Sequence, residues 1–157
     1  MCSLVFSKLD YCNSLLSGSL QYLIQLFQKV QNTAAWITLR APSAEHTSPL
    51  LRSFHWLHVQ QRIKHKVCSI CDAMLTSTSP KYISELVNVY IPSRCLRSLS
   101  DSRTLTIPYV KTKICGQRSF AYQGPATWND LPFDLQHKDS LSTSKSALKT
   151  HLFHQLT

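Results

Sequence analysis

The segment 20–39 restricts the fold more than any other part of the sequence, because its apolar residues recur at helical intervals. They lie three or four residues apart, at Leu20, Leu23, Ile24, Phe27, Val30, Ala34 and Ile37. This spacing puts them on one side of an α-helix and predicts a helix of about five turns. The helix is expected to end before Ala41-Pro42, since proline disfavours helical geometry in the residue before it.

Other stretches also have helical spacing. Residues 3–17 carry a stripe of Leu9, Cys12, Leu15 and Leu16. Gly18 then suits the left-handed position that ends a helix. The first two helices are therefore expected to fold back on each other as an αα-hairpin. Ser48-Pro49 and Ser79-Pro80 each predict the start of a short helix. Two longer helices are indicated by Val59, Ile63, Val67, Ile70 and Met74, and by Leu148, Leu152 and Leu156.

The chain is predicted to form a single, mainly α domain over residues 1–157, with helices in 1–88. Residues 89–123 are expected to form a basic loop and one small β-hairpin near 104–115, where β-favouring residues alternate. Residues 124–157 are expected to form C-terminal helices. There Gly124-Pro125 opens a short helix carrying Trp128, and we expect that indole to fill the seam between the short helices and the last one.

Charge is the main compositional signal. Lysine and arginine number 17 against 8 acidic residues, for a net charge of +9. Such an excess favours polyanionic partners, either nucleic acid or an anionic membrane surface. The longest apolar runs are far shorter than a membrane-spanning helix requires, and the N-terminal residues do not resemble a signal peptide. We therefore expect an intracellular protein, nuclear or cytoplasmic.

No residue pattern predicts catalysis or cofactor binding. The acids are not adjacent and form no D-x-D motif, whereas a two-metal site needs several oxygen ligands together. Glycine-rich phosphate loops and a nucleophile elbow are also missing. His65, Cys68 and Cys71 have zinc-ligand side chains, but the more economical interpretation makes both cysteines core residues of a helix. We expect no enzyme activity, no cofactor, no metal and no small-molecule substrate.

Basic clusters are the candidate binding residues. The first occupies residues 48–68 and the second residues 94–118, each with few or no acids. Arg118, Phe120 and Tyr122 alternate and are able to form a stacking surface for single strands, or else place both aromatic rings in the core. The predicted nucleic-acid contacts are Arg62, Lys64, Lys66, Arg94, Arg97, Arg103, Lys111, Lys113 and Arg118.

Seven short stretches, in order, carry a resemblance to a known family. They are 7-SKLDYCNSLLSG-18, 29-KVQNTAAWITLR-40, 55-HWLHVQQRIKHK-66, 79-SPKYISELV-87, 92-PSRCLRS-98, 124-GPATWNDLP-132 and 145-KSALKTHLF-153. Together they resemble the C-terminal tail of reverse transcriptases encoded by non-LTR retrotransposons (LINEs) of the jockey-like and chicken-repeat-like branch. No single stretch is specific, but the seven in register cover nearly the whole chain.

The resemblance implies a region that follows the polymerase palm and contributes thumb-like, nucleic-acid-contacting helices. The family's aromatic-Asp-Asp polymerase motif does not occur in this sequence, so the resemblance implies descent from a polymerase without its activity. Two positions depart from the family pattern. His58 stands where proline is usual, a change that costs about 1 kcal/mol. Ser144 stands where an aromatic is usual, and a lost buried aromatic costs ~3–5 kcal/mol.

Two functions from different classes remain at this point, together with the zinc-stabilised module. One is a non-catalytic remnant of a LINE reverse transcriptase that binds RNA or DNA nonspecifically through its basic faces. The other is a structural or protein-interaction fragment with no nucleic-acid role.

Overall fold

A computed structural model describes residues 2–40, 46–92, 103–112, 115–138 and 140–155 of the 157-residue chain. Within these ranges the chain is mainly helical, as the sequence predicts, and forms no β-strand. The helices are α1 (Cys2–Asp10), a 3-10 helix (Asn13–Leu16), α2 (Gln21–Leu39), α3 (Thr47–Ser53), α4 (Val59–Leu75), α5 (Lys81–Ser84), α6 (Phe120–Asn129), α7 (Phe133–Gln136) and α8 (Leu141–His154).

The predicted αα-hairpin is confirmed, with a different first arm. α1 ends at Asp10 rather than near residue 17, because Cys12 adopts a left-handed φ of 51° and only a 3-10 turn follows. Gly18 has φ 71°, the left-handed geometry expected of it. α2 then packs back against α1. It ends at Leu39, before Ala41-Pro42, as predicted.

α4 is the central helix of the fold. It packs against α2, α6, α8 and the 3-10 helix. Its buried face includes Val59, Ile63 and Val67, three of the five residues that define the predicted stripe. Trp128 of α6 and Leu148 and Leu152 of α8 complete this core, so the expected position of Trp128 is confirmed. A second, smaller core joins Ala35 of α2 to Leu50 and Leu51 of α3.

α6 is longer than predicted. It begins at Phe120 instead of at Gly124-Pro125, and Pro125 lies inside it, fully buried. Proline lacks the N–H that would bond to the carbonyl four residues earlier, and the ring of Pro125 gains burial in the interior instead. Gly124 packs closely against α4: a Cβ there would lie 3.3 Å from the Cys71 sulfur, and the neighbouring atoms would have to shift by a few tenths of an ångström.

The β-hairpin predicted near 104–115 is wrong for the residues described. Leu105 forms an isolated antiparallel bridge with Val89 rather than with its own neighbours. The side chain of Asn129 also bonds to both backbone polar groups of Leu105, at 2.9 Å to its N–H and 2.8 Å to its carbonyl. These contacts occupy the hydrogen-bonding groups of Leu105, and Pro108 has no N–H to offer a partner strand. Residues 113 and 114 lie outside the described ranges.

The apolar stripe of α2 is largely exposed. Leu20, Phe27, Val30 and Ile37 remain 61%, 38%, 52% and 59% exposed, whereas Ala35 and the polar Gln31 are completely buried. Two glutamines of this helix make polar contacts with the interior: Gln31 donates to the carbonyl of Leu57 at 2.9 Å, and Gln28 accepts from the N–H of Val59 at 2.9 Å. None of the described helices is both long and apolar enough to traverse a bilayer.

Candidate nucleic-acid interface

A cleft of about 830 Å³ opens between α4, α8 and the turn that joins α3 to α4. We call it the basic cleft. Its charged and aromatic lining comes from the end of α1, the turn, α4 and α8, and consists of Asp10, Phe54, His55, Trp56, Arg62, His65, Lys66, Lys145 and Lys149. Asp10 is the single acid among the described residues that line it. The cleft therefore concentrates positive charge in a concave surface, which raises the local concentration of anions.

His65 lies at the centre of the charges. Its Nε2 donates to the backbone carbonyl of Lys145 at 3.2 Å, which joins α4 to the first turns of α8. Burial lowers the pKa of His65, and the positive charges of Lys149, Lys145 and Lys66 lower it further, against the hydrogen bond that raises it. All three lysines therefore lie near enough to the imidazole to act on its charge, and all three line the cleft together with His65. An anion in that region would relieve their mutual repulsion.

Arg62 lines the cleft but is held by the protein. Its Nη1 lies 2.7 Å from each carboxylate oxygen of Asp10, and its Nε donates to the carbonyl of Leu57 at 3.1 Å. Its guanidinium carbon also lies 4.3 Å from the ring centre of Phe6, a cation–π contact. Arg62 thus fixes the end of α1 against α4, with only part of its donor capacity directed to solvent.

Aromatic rings of the turn between α3 and α4 also line the cleft. Phe54 stacks on Trp56 with ring centres 4.5 Å apart and an interplanar angle of 20°. Phe6 meets Trp56 edge-on at 4.2 Å. These two contacts pack Trp56 against its neighbour in the turn and against α1. Phe54 lines the cleft and is half-buried in this group, and an aromatic ring in such a position is the type of group on which bases stack.

The sequence-predicted binding residues do not form one surface. Arg62 and Lys66 line the basic cleft, whereas Lys64 lies on another side of α4, where its charge acts on Cys68. Lys111 and Arg118 are exposed but are not part of the cleft. Three predicted residues lie outside the described ranges: Arg94, Arg97 and Lys113.

Arg103 and the neighbouring aromatics have structural contacts. Arg103 is half-buried, its carbonyl accepts a hydrogen bond from Trp128, and its Nη1 is buried without a hydrogen-bond partner among the described residues. Phe120 packs against the main core, which supports the core alternative for this ring, and Tyr122 is half-buried. Arg118 donates to the hydroxyl of Ser19 at 3.3 Å, on the loop before α2.

Lys145 and Lys149 were not predicted as binding residues. In sequence they form the polar side of an amphipathic helix, opposite Leu148 and Leu152, which is the usual design of a surface helix. Their role depends on the packing of α8 on α4. This packing places the two lysines in the same cleft as Lys66, although they are about eighty residues away from it along the chain. The one local signal is the one-turn spacing of the two lysines, without an acid between them.

Cys68 and Cys71 are core residues, as the more economical interpretation predicts. Both are buried among apolar side chains between α4, α6 and α8. Burial raises the pKa of the Cys68 thiol to about 12, and it also raises the pKa of Cys71. Zinc binds the thiolate rather than the thiol. Across the described ranges, no group of three or more His, Cys, Asp or Glu side chains is placed to hold a metal ion.

Comparisons of the chain with protein-family models, with curated proteins and with solved structures found no match.

Proposed function

We propose that this chain binds RNA or DNA without sequence preference, through the basic cleft, and that it has no catalytic activity. The observation that supports the proposal is the convergence of Lys66, Lys145 and Lys149 around His65 in one concave surface. Lysine ammonium groups bind phosphates as point charges, and a row of them follows a backbone without reading bases. The half-buried ring of Phe54 adds a stacking surface that accepts any base.

The contacts of the potential reactive groups support a binding role without chemistry. Asp10, the acid in the cleft, is already paired with Arg62. The two buried thiols are held in their protonated forms by burial. Among the described residues that line the cleft, the lysines and the aromatic rings are groups that favour affinity for a polyanion rather than bond cleavage.

The test is a titration of fluorescent single-stranded and duplex oligonucleotides by anisotropy, at several salt concentrations. We expect the affinity of the chain to fall steeply with salt, because each phosphate contact releases counterions. The double variant Lys145→Gln/Lys149→Gln should lose about tenfold in affinity, and its plot of log affinity against log salt should be shallower by about 1.4–1.8, or 0.7–0.9 per lost contact.

A matched control is the double variant Lys8→Gln/Lys81→Gln. Both of its lysines are exposed and lie outside the cleft, and the change in net charge is the same. We expect it to bind nearly as well as the unmodified chain. Equal losses in the two double variants would show that net charge alone, and not the cleft, holds the oligonucleotide. The exposed Lys111 and Arg118 can be replaced in the same assay to test the second predicted cluster.

We further propose that the chain descends from the C-terminal region of a LINE reverse transcriptase. The seven stretches in register support this origin, and the mainly helical fold agrees with a thumb-like region. The decisive observation is the genomic neighbourhood. Reverse-transcriptase coding sequence directly upstream, interrupted by stop codons, is the expected result, and an unrelated upstream sequence would contradict this origin.

A further inference from the structure

The exposed face of α2 has the spacing of a coiled-coil seam. Its apolar residues recur at alternating intervals of three and four, at Leu20, Leu23, Phe27, Val30, Ala34 and Ile37. This is the 3.5-residue repeat of a and d positions, which keeps a side chain seam directed at a second helix. Ile24, Gln28, Gln31 and Ala35, by contrast, form the side that packs into the chain's own fold. α2 therefore has a second, apolar face whose pattern suits another helix.

The seam is symmetric about its centre. Leu20 and Ile37 lie equally far from the point between Gln28 and Lys29, as do Leu23 and Ala34, and Phe27 and Val30. Two copies of α2 placed antiparallel would therefore bring the members of each pair together. A twofold axis requires a self-complementary surface of this kind. If residue i of one copy contacts residue j of the second copy, then residue j of the first copy contacts residue i of the second.

The two halves of the seam also differ in shape. A groove of about 350 Å³ runs along the C-terminal half, between Val5 of α1 and the side chains of Val30, Ala34 and Ile37. The N-terminal half carries larger side chains, Leu20, Leu23 and Phe27. An antiparallel arrangement sets these large side chains of one copy against the groove of the other, the knobs-into-holes packing of paired helices.

Charge is compatible with this pairing. Lys29 is the only charged residue within α2; it is not one of the seam positions, although it lines the groove beside them. The seam positions themselves are thus uncharged, and the repulsion between two chains of net charge +9 comes from Lys29 at the groove and from more distant groups. Salt screens such distant charges far more than it affects apolar contacts.

From these observations we propose that the apolar seam of α2 binds a second copy of this chain, antiparallel, to form a twofold-symmetric dimer. Phe27 of each copy packs against Val30 of the other at the centre, and Leu20 packs against Ile37 at each end. The same surface leaves the basic cleft accessible, since none of its lining residues belongs to α2.

Sedimentation of the full chain measures the proposed dimer. Between about 1 and 100 µM, where weak interfaces become populated, the expected mass rises toward roughly twice the 17.9 kDa of one chain. Association should strengthen from about 0.05 to 0.5 M salt as the repulsion is screened, opposite to the trend expected for nucleic-acid binding. A chain that remains monomeric throughout would overturn the proposal and assign the face to a different protein or to a lipid surface.

Paired variants test the register. Val30→Glu should weaken association at least about tenfold, because it places a charge at the centre of the seam. The control Val89→Glu changes the same residue type at the same 52% exposure, away from α2, and should associate like the unmodified chain. Equal behaviour of the two variants would overturn the proposal.

A mixture experiment separates antiparallel pairing from misfolding. Phe27→Lys should also be monomeric on its own. Mixed with Val30→Glu, it should form a heterodimer, since the introduced lysine of one chain meets the introduced glutamate of the other and the remaining Phe27 meets Val30. In a parallel pair the introduced lysine and the introduced glutamate would not face each other. A variant that had misfolded would not regain association on mixing. Failure of the mixture to associate would refute the antiparallel register.

Discussion

The indole Nε1 of Trp128 donates a hydrogen bond to the backbone carbonyl oxygen of Arg103, at 2.8 Å. This bond attaches the extended segment 103–112 to the centre of the main core, because the indole itself is almost wholly buried between α4 and α8. The neighbouring Asn129 holds Leu105 of the same segment in the same manner. One turn of α6 therefore organises both the helical core and the non-helical segment that crosses it.

The Trp128→Ala variant should lose about 3–5 kcal/mol of unfolding free energy in urea titrations, since it removes a large buried ring. Trp128→Phe keeps most of the ring but leaves the Arg103 carbonyl without its donor, and should lose about 1–3 kcal/mol. Replacing the exposed Tyr109 with Ala is the matched control and should change little. A Trp128→Ala chain that stays fully folded yet loses oligonucleotide binding would contradict a purely architectural role.

Asp10→Asn should have opposite effects on stability and binding. The pair with Arg62 is partly exposed, with side chains 16% and 49% accessible for arginine and aspartate, so its loss should cost about 0.2–1 kcal/mol. The same change removes the cleft's acid and releases the Arg62 guanidinium toward a phosphate, so oligonucleotide affinity should rise a few-fold. Asp134→Asn, an exposed acid outside the cleft, raises the net charge equally and should leave affinity almost unchanged.

Stability should fall as the pH is lowered from about 7 toward 5. Burial lowers the pKa of His65 in the folded chain, with Lys149, Lys145 and Lys66 lowering it further. Below the ordinary value near 6.5 the unfolded chain therefore binds the proton more readily than the folded chain, and the free energy of unfolding declines.

Thermal melts across this pH range measure the effect. His65→Gln, which keeps a donor for the Lys145 carbonyl, should reduce the pH dependence without abolishing it, because burial also lowers the pKa of His58. His154→Gln at an exposed site should leave the pH dependence unchanged. Oligonucleotide binding should show the reverse trend and tighten at low pH, because a protonated His65 adds charge to the cleft. Identical pH profiles for the two histidine variants would remove His65 from this account.

His58→Pro should stabilise the chain by about 0.4–1 kcal/mol. His58 precedes α4 with φ −58°, which a proline ring adopts without strain. Its carbonyl accepts a hydrogen bond from Arg62 N–H at 2.9 Å, and proline retains that acceptor. An increase in melting temperature is the expected result. A decrease would mean that the half-buried imidazole contributes more through packing than the backbone gains in entropy.

Helical periodicity predicted much of the fold because the main core is built from regular stripes. Val59, Ile63 and Val67 on α4 and Leu148 and Leu152 on α8 are buried in the positions their spacing indicates. The pattern in α2 was equally regular, yet Phe27, Val30 and Ile37 of its stripe are exposed and the polar Gln31 is buried. Periodicity identifies which face of a helix is apolar, but it does not show what covers that face. Sequence spacing alone therefore cannot distinguish an exposed apolar face from one that is buried in the core.

The binding surface was only partly predictable for a similar reason. Arg62 and Lys66 are neighbours on one helix, and their proximity follows from sequence spacing. Their approach to Lys145 and Lys149 depends on how α8 packs on α4, which no local pattern encodes. The hairpin near 104–115 failed because Asn129 and Val89, both remote in sequence, bond with Leu105 in place of a neighbouring strand.

The burial of Cys68 and Cys71 makes the alkylation rate of these two thiols a measure of local opening of the core. In the native chain neither sulfur is accessible to a thiol reagent, whereas Cys12 and Cys115 are on the surface. Alkylation of the two interior sulfurs must therefore wait for α4 to separate from α6 and α8, and its rate reports how often that separation occurs. Mass spectrometry of samples taken at successive times would measure the rate at which the core opens, with no engineered probe in the chain.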